Sequence, residues 1–223
     1  MARELKSGRK GAARGTAKQV VIFVHGYGAD GNDLLGLADP LMPHLPDTAF
    51  YAPDAPERCV GNPFGYQWFP IPWLDGSSEE AAKTSMATSV EDLNAFIDKV
   101  LADEGLTPDR LVLLGFSQGT MMSLHVAPRR DAPIAALVGF SGRLLEPERL
   151  QAETKVRMPV LLLHGDQDDM VPFPSLKEAA DALVAAEFET YAFVMKGMGH
   201  GIAPDGLGQA VGFIRNKLGL DAD

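Results

Sequence analysis

An α/β fold built on a mostly parallel sheet is predicted by three observations on the 223-residue sequence. Short apolar runs recur along the chain, stretches with helical spacing separate them, and several runs end directly in glycine-rich loops that carry polar side chains. Strands joined through helices require right-handed crossovers, which place helices on both faces of the sheet. The loops at the carboxyl ends of the strands are then left free for chemistry.

Taken in order, Gln19-Val20-Val21-Ile22-Phe23-Val24 reads as a strand and Thr48 to Ala52 as a second, stopped by Pro53. From Arg58 to Ser78 neither element fits. Phe64, Tyr66, Trp68, Phe69, Ile71, Trp73 and Leu74 are interrupted there by Pro63, Pro70 and Pro72, which deny the segment a regular ladder or helix. Between Ala81 and Glu104, apolar residues at Met86, Val90, Leu93, Ile97, Val100 and Leu101 follow a three-and-four spacing and predict one long amphipathic helix. Further strands are read at Leu111 to Leu114, Ile134 to Gly139, Met158 to Leu163 and Thr190 to Met195, with helices at Ser175 to Ala186 and Leu207 to Leu218.

Composition narrows the class. Hydrophobic residues make up 46% of the chain, enough for a packed core, and the net charge of -10 would repel a phosphate backbone, which excludes nucleic acid as a partner. Residues 1–18 reverse that sign with Arg3, Lys6, Arg9, Lys10, Arg14 and Lys18 against Glu4 alone, and read as a flexible basic tail ahead of a single domain over residues 19–223. That tail lacks the apolar centre of a signal peptide, and no apolar run approaches the ~20 residues needed to span a bilayer. A single cysteine, Cys59, cannot form an internal disulfide; with the other features it points to a reducing cytoplasm. One cysteine and no HExxH spacing give no reason to expect a metal or cofactor.

The most informative motif is Gly115-Phe116-Ser117-Gln118-Gly119, placed between an apolar strand and a helical stretch. Glycines two before and two after Ser117 give the sharp turn that exposes a serine hydroxyl, and let strand and helix pass closely. A serine so presented needs a base and an acid. In the α/β-hydrolase arrangement they follow along the chain as acid and then histidine, each past a successive strand. His25 and His44 precede Ser117, His125 lies eight residues along the elbow helix, roughly 12 Å away at 1.5 Å per residue, and His164 closes its own strand. His164 is better read as tying down the next loop through a ring hydrogen bond. His200, flanked by Gly199 and Gly201, remains as the base. Asp166, Asp168 and Asp169 all follow the strand at Met158 to Leu163; Asp168 is taken as the acid, although spacing does not choose among the three. After the first strand, His25-Gly26-Tyr27-Gly28 lets the backbone approach a substrate carbonyl, so the amides of Tyr27 and Gln118 are the expected oxyanion donors.

His25-Gly26-Tyr27-Gly28-Ala29-Asp30-Gly31-Asn32-Asp33-Leu34, the serine pentapeptide, His164-Gly165-Asp166-Gln167-Asp168 and Gly199-His200 together resemble the small carboxylesterase and lysophospholipase family, which includes acyl-protein thioesterases. The similarity runs from about Gln19 to Leu218. It implies the α/β-hydrolase fold without a large lid domain, Ser117 as nucleophile, the second aspartate of the His-Gly-Asp-x-Asp run, Asp168, as acid, and His200 as base. Gly201 stands where many members have serine after the histidine. The expected function is a serine carboxylesterase acting on short- to medium-chain esters, with lysophospholipids and acyl thioesters as related substrates. A serine amidase or peptidase on the same scaffold and a non-catalytic binding protein of this fold are the rivals. Trp68, Phe69, Ile71 and Trp73 are the expected wall of the acyl pocket, and an exposed part of that aromatic loop would support a homodimer.

Overall fold

A computed structural model describes residues 2–221; Met1, 222 and 223 lie outside the described residues. In chain order the elements are β1 (Ser7–Gly11), β2 (Gln19–Val24), α1 (Gly31–Leu35), α2 (Ala38–Leu41), β3 (Thr48–Pro53), β4 (Glu57–Arg58), β5 (Tyr66–Gln67), α3 (Pro72–Asp75) and α4 (Glu79–Glu104). They continue with β6 (Leu111–Phe116), α5 (Gln118–Val126), β7 (Ala136–Phe140), α6 (Pro147–Glu153), β8 (Val160–Gly165), α7 (Pro174–Ala185), β9 (Thr190–Met195) and α8 (Pro204–Lys217).

Seven strands form one sheet in the order β1-β3-β2-β6-β7-β8-β9. Every neighbouring pair is parallel except β1 with β3. β2, β6 and β8 are continuous apolar runs because a strand covered on both faces has no solvent side to mark with polar residues. Alternate side chains of β2 divide between two cores. Val20, Ile22 and Val24 pack with Leu93 and Ile97 of α4 and Met122 of α5, while Val21 and Phe23 pack with Leu34 of α1, Leu41 of α2 and Ile214 of α8. The long α4 starts where the Ser78 hydroxyl accepts from the N–H of Ala81 and stops at Gly105, whose φ of 67° no side-chain-bearing residue adopts cheaply.

The amino-terminal segment corrects the expectation of a flexible tail. β1 pairs along its whole length with β3, from Ser7 opposite Pro53 to Gly11 opposite Ala49. Two of its cations are fastened to buried carboxylates. Arg3 binds Asp92 through its backbone N–H at 2.6 Å and its Nε at 2.8 Å, and Arg9 reaches Glu104 with Nε at 2.9 Å and Nη2 at 2.8 Å. Leu5 is buried between them. Two of the charges that read as a solvated arm, Arg3 and Arg9, are therefore the counterions of buried acids on α4, and the strand closes one edge of the sheet.

The aromatic segment is also partly ordered. β4 and β5 form a two-residue antiparallel hairpin, and Pro72 opens a single turn, α3. Pro at the first helical position is where its missing N–H does least harm.

Candidate active site

At the junction of β6 and α5, Ser117 takes φ 54° and ψ -116°, a conformation that costs a side-chain-bearing residue about 1–3 kcal/mol. The turn is held by its surroundings: the N–H of Ser117 donates to the carbonyl of Phe140 at 2.8 Å, and the Thr120 hydroxyl donates to the same oxygen at 2.8 Å. A Cβ at Gly115 would come within 2.5 Å of the Thr120 nitrogen, and one at Gly119 within 1.8 Å of the Val24 carbonyl oxygen. Both glycines are thus required by backbone packing against backbone, which leaves no flexible side chain to yield.

Ser117 Oγ lies 3.0 Å from His200 Nε2, and His200 Nδ1 lies 2.9 Å from Asp168 Oδ2. The histidine arrives on the loop after β9 and the aspartate on the loop after β8, so three strand ends converge on one point. Phe116 packs against the His200 ring with centroids 4.9 Å apart. Asp168 is buried, and its Oδ1 accepts from the N–H groups of Met170 at 3.0 Å and Val171 at 2.9 Å. Burial pushes its pKa up, but the hydrogen bond from His200 and those two amides outweigh it and hold the carboxyl below its ordinary value.

The three aspartates of this loop take different positions, and Asp168 is the one that meets His200. Asp166 accepts from the N–H of Gly197 at 2.7 Å and so ties the loop after β8 to the loop that carries His200; Asp169 is exposed at the cavity edge. His164 is buried, with Nε2 2.9 Å from the carbonyl of Val171, the loop-tying bond expected of it, and 3.2 Å from Asp168 Oδ2. His25 is buried too, its Nδ1 2.7 Å from the Gly26 carbonyl and its Nε2 accepting from the N–H of Ala55 at 2.9 Å. Burial lowers its pKa and keeps the ring neutral.

A Cβ on Gly26 would meet Ser117 Cβ at 3.2 Å, which places the turn after β2 directly against the Ser117 turn. Among the described residues, neither the amide of Tyr27 nor that of Gln118 has a hydrogen-bond acceptor. Tyr27 and Gln118 line, with Ser117, His200, Phe69, Ile71, Trp73 and Met121, a cavity of about 1010 Å³.

Trp68 is a correction. It is fully buried and does not line the cavity; its Nε1 donates to the carbonyl of His25 at 3.0 Å and its own carbonyl accepts from Ser89 at 2.5 Å. The indole braces the turn after β2 instead of lining the cavity. The side chain of Gln118 went unread in the sequence. Its Oε1 accepts from the N–H of Trp68 at 2.9 Å and its Nε2 donates to the carbonyl of Phe69 at 2.7 Å, pinning the aromatic segment to the elbow. No local pattern signals this, because the partners are 49 and 50 residues away.

A strained serine after a parallel strand, with imidazole and carboxylate supplied from the ends of two later strands, defines an α/β-hydrolase. Within that class the chain belongs to the Phospholipase/Carboxylesterase family, Abhydrolase_2, whose model matches residues 11–218, and it is an ester hydrolase. It is 30% identical over 214 residues to acyl-protein thioesterase 1 of Saccharomyces cerevisiae, covering 91% of this chain and 94% of that one. Esterase YpfH of Escherichia coli is 24% identical over 188 residues, 83% of this chain and 77% of the relative. The crystal structure of esterase PE8 superposes with a TM-score of 0.90 at 41% identity, covering 96% of this chain and 99% of that one. Among the described residues no helix is long and apolar enough to cross a membrane, and no group of three or more histidine, cysteine or acidic residues is placed to hold a metal ion.

Proposed function

We propose that this chain is a serine carboxylesterase that cleaves short- to medium-chain carboxylic esters through an acyl-enzyme on Ser117. The observation that carries the reading is the unbroken relay from Ser117 Oγ to His200 Nε2 at 3.0 Å and from His200 Nδ1 to Asp168 Oδ2 at 2.9 Å, opening into a cavity beside two unpaired amides. His200 takes the proton of Ser117 as the oxygen attacks the carbonyl carbon, and Asp168 orients the ring and favours the imidazolium that forms. The amides of Tyr27 and Gln118 receive the negative carbonyl oxygen, a contribution that typically amounts to about 2.7–4 kcal/mol per donor. As the tetrahedral intermediate collapses, the imidazolium returns the proton to the departing alkoxide. Water then repeats the sequence on the acyl-enzyme and regenerates the serine.

Lysophospholipids and acyl thioesters present the same carbonyl. Phe69, Ile71 and Trp73 form the wall against which an acyl chain would lie, and each CH₂ fully buried there contributes about 0.8 kcal/mol. Turnover of p-nitrophenyl esters of increasing chain length therefore measures how deep the wall extends. The deciding experiment is Ser117→Ala. Fluorophosphonate labelling and ester hydrolysis should both vanish, with turnover down at least about 10⁴-fold. Labelling that persists places the nucleophile elsewhere.

A further inference from the structure

The oxyanion turn is steadied by more than its backbone. While the Tyr27 N–H is free, its hydroxyl is engaged on both sides: it donates to Asp75 Oδ2 at 3.0 Å and accepts from the N–H of Gly61 at 3.1 Å. Asp75 closes α3. Its Oδ2 also accepts from the N–H of Ile71 at 2.7 Å, and its Oδ1 accepts from the N–H of Ser77 at 2.9 Å. Burial pushes the Asp75 carboxyl up, but the bonds from Ser77, Ile71 and Tyr27 outweigh it and hold the group ionised. The Tyr27 phenol is pushed above its ordinary value, first by burial and then by the Cys59 thiol and the Asp75 carboxylate, so it stays a donor. Between Ile71 and Asp75 the chain presents Ile71, Trp73 and Leu74 to the cavity. One carboxylate thus fastens both the α3 turn that lines the cavity and the ring of Tyr27.

We infer that Asp75 is a positioning residue for the reaction: acting through the Tyr27 hydroxyl, it fixes the direction of the Tyr27 N–H and couples that donor to the acyl wall. This rests on the proposed oxyanion role of the Tyr27 amide. A carboxylate that only shaped the loop would affect substrate binding. One that aims an oxyanion donor affects the transition state, and so kcat, even for an acyl group too short to reach the wall.

The test uses Tyr27→Phe, Asp75→Ala, Asp75→Asn and the double variant Tyr27→Phe/Asp75→Ala, with kcat and KM measured on p-nitrophenyl acetate. Tyr27→Phe removes one oxygen and leaves the amide in place; it should lower kcat about tenfold with KM within about twofold, part of the 10²–10³-fold that a whole oxyanion donor supplies. Asp75→Ala should match it. The double variant should be no slower than the slower single within about twofold, because both remove one connection. Asp75→Asn keeps an oxygen that can accept from Tyr27 and should recover part of the loss. Wild-type kcat in Tyr27→Phe, or losses that multiply in the double variant, would overturn the inference. Should Asp75→Ala fail to fold, Tyr27→Phe decides alone, since it changes neither shape nor backbone. Fluorophosphonate labelling of Ser117 in the parent protein keeps the two readings apart: if Ser117→Ala remains active, the proposed function has failed, whereas normal labelling with an unaffected Tyr27→Phe sinks only the role of Asp75.

Discussion

Asp168 in the Ser117–His200 relay and Glu104 at the end of α4 meet the same electrostatic problem with opposite results. Neither side chain is exposed to solvent. In each, burial pushes the carboxyl pKa up and is outweighed, by His200 and the amides of Val171 and Met170 for Asp168, and by Tyr51, Arg9 and the amide of Gly15 for Glu104. What differs is the partner. Arg9 is charged at every accessible pH and spends its remaining hydrogen bonds on Tyr51 and the Ala12 carbonyl, so the pair only clamps β1 to the body. His200 can gain and lose a proton, and its second nitrogen faces Ser117 and the cavity. A well-satisfied buried carboxylate is therefore no sign of chemistry by itself; the sign is a titratable partner with one side still open.

Exchanging the charge at each site should separate the two most sharply. Asp168→Asn should reduce ester turnover by about 10³–10⁴-fold, because the neutral amide no longer favours the imidazolium or the productive tautomer, while circular dichroism stays unchanged. Glu104→Gln should do the reverse: kcat and KM unaltered, but stability against urea lower by about 2–4 kcal/mol, since Arg9 is left without its countercharge. Activity lost in Glu104→Gln with stability intact would break the comparison. The smallest effect belongs to a half-buried histidine on α5. His125 is held neutral mainly by burial and by the nearby Arg129, which lower its pKa from 6.5 to about 4. The unfolded chain binds the proton first, so the stability it contributes is complete above pH 6.5 and is lost as pH falls towards 4. In His125→Gln the pH dependence of stability across that window should flatten by on the order of 1 kcal/mol, the residue being partly solvated.

What the sequence revealed follows the range over which its signals act. β2 and β9 occupy the same residues in sequence and structure, because a run covered on both faces, or bounded by turn residues, declares itself locally. Ser117 could be read for the same reason, its turn being specified within five residues. β1 could not. Its strand, Ser7 to Gly11, has no apolar side chain, and Arg9 within it and Arg3 just before it find their partners, Glu104 and Asp92, 95 and 89 residues away, so the charges looked solvated. Trp68 failed for a related reason: an indole on an aromatic segment carries no mark of whether it turns to the cavity or to His25 beneath it. The three aspartates after β8 were equivalent in spacing until Gly197 claimed Asp166 and His200 met Asp168.

The contact of Gly119 with the Val24 carbonyl reaches beyond the elbow. The helix that follows the serine and the strand that leads into the Tyr27 turn are abutted main chain to main chain, so the span between Ser117 and that turn is set by the polypeptide itself. Exchanging the cavity side chains Phe69, Ile71 and Trp73 leaves that span untouched, so on the proposed reading substrate preference can drift, or be redesigned, while the proposed reacting centre keeps its dimensions.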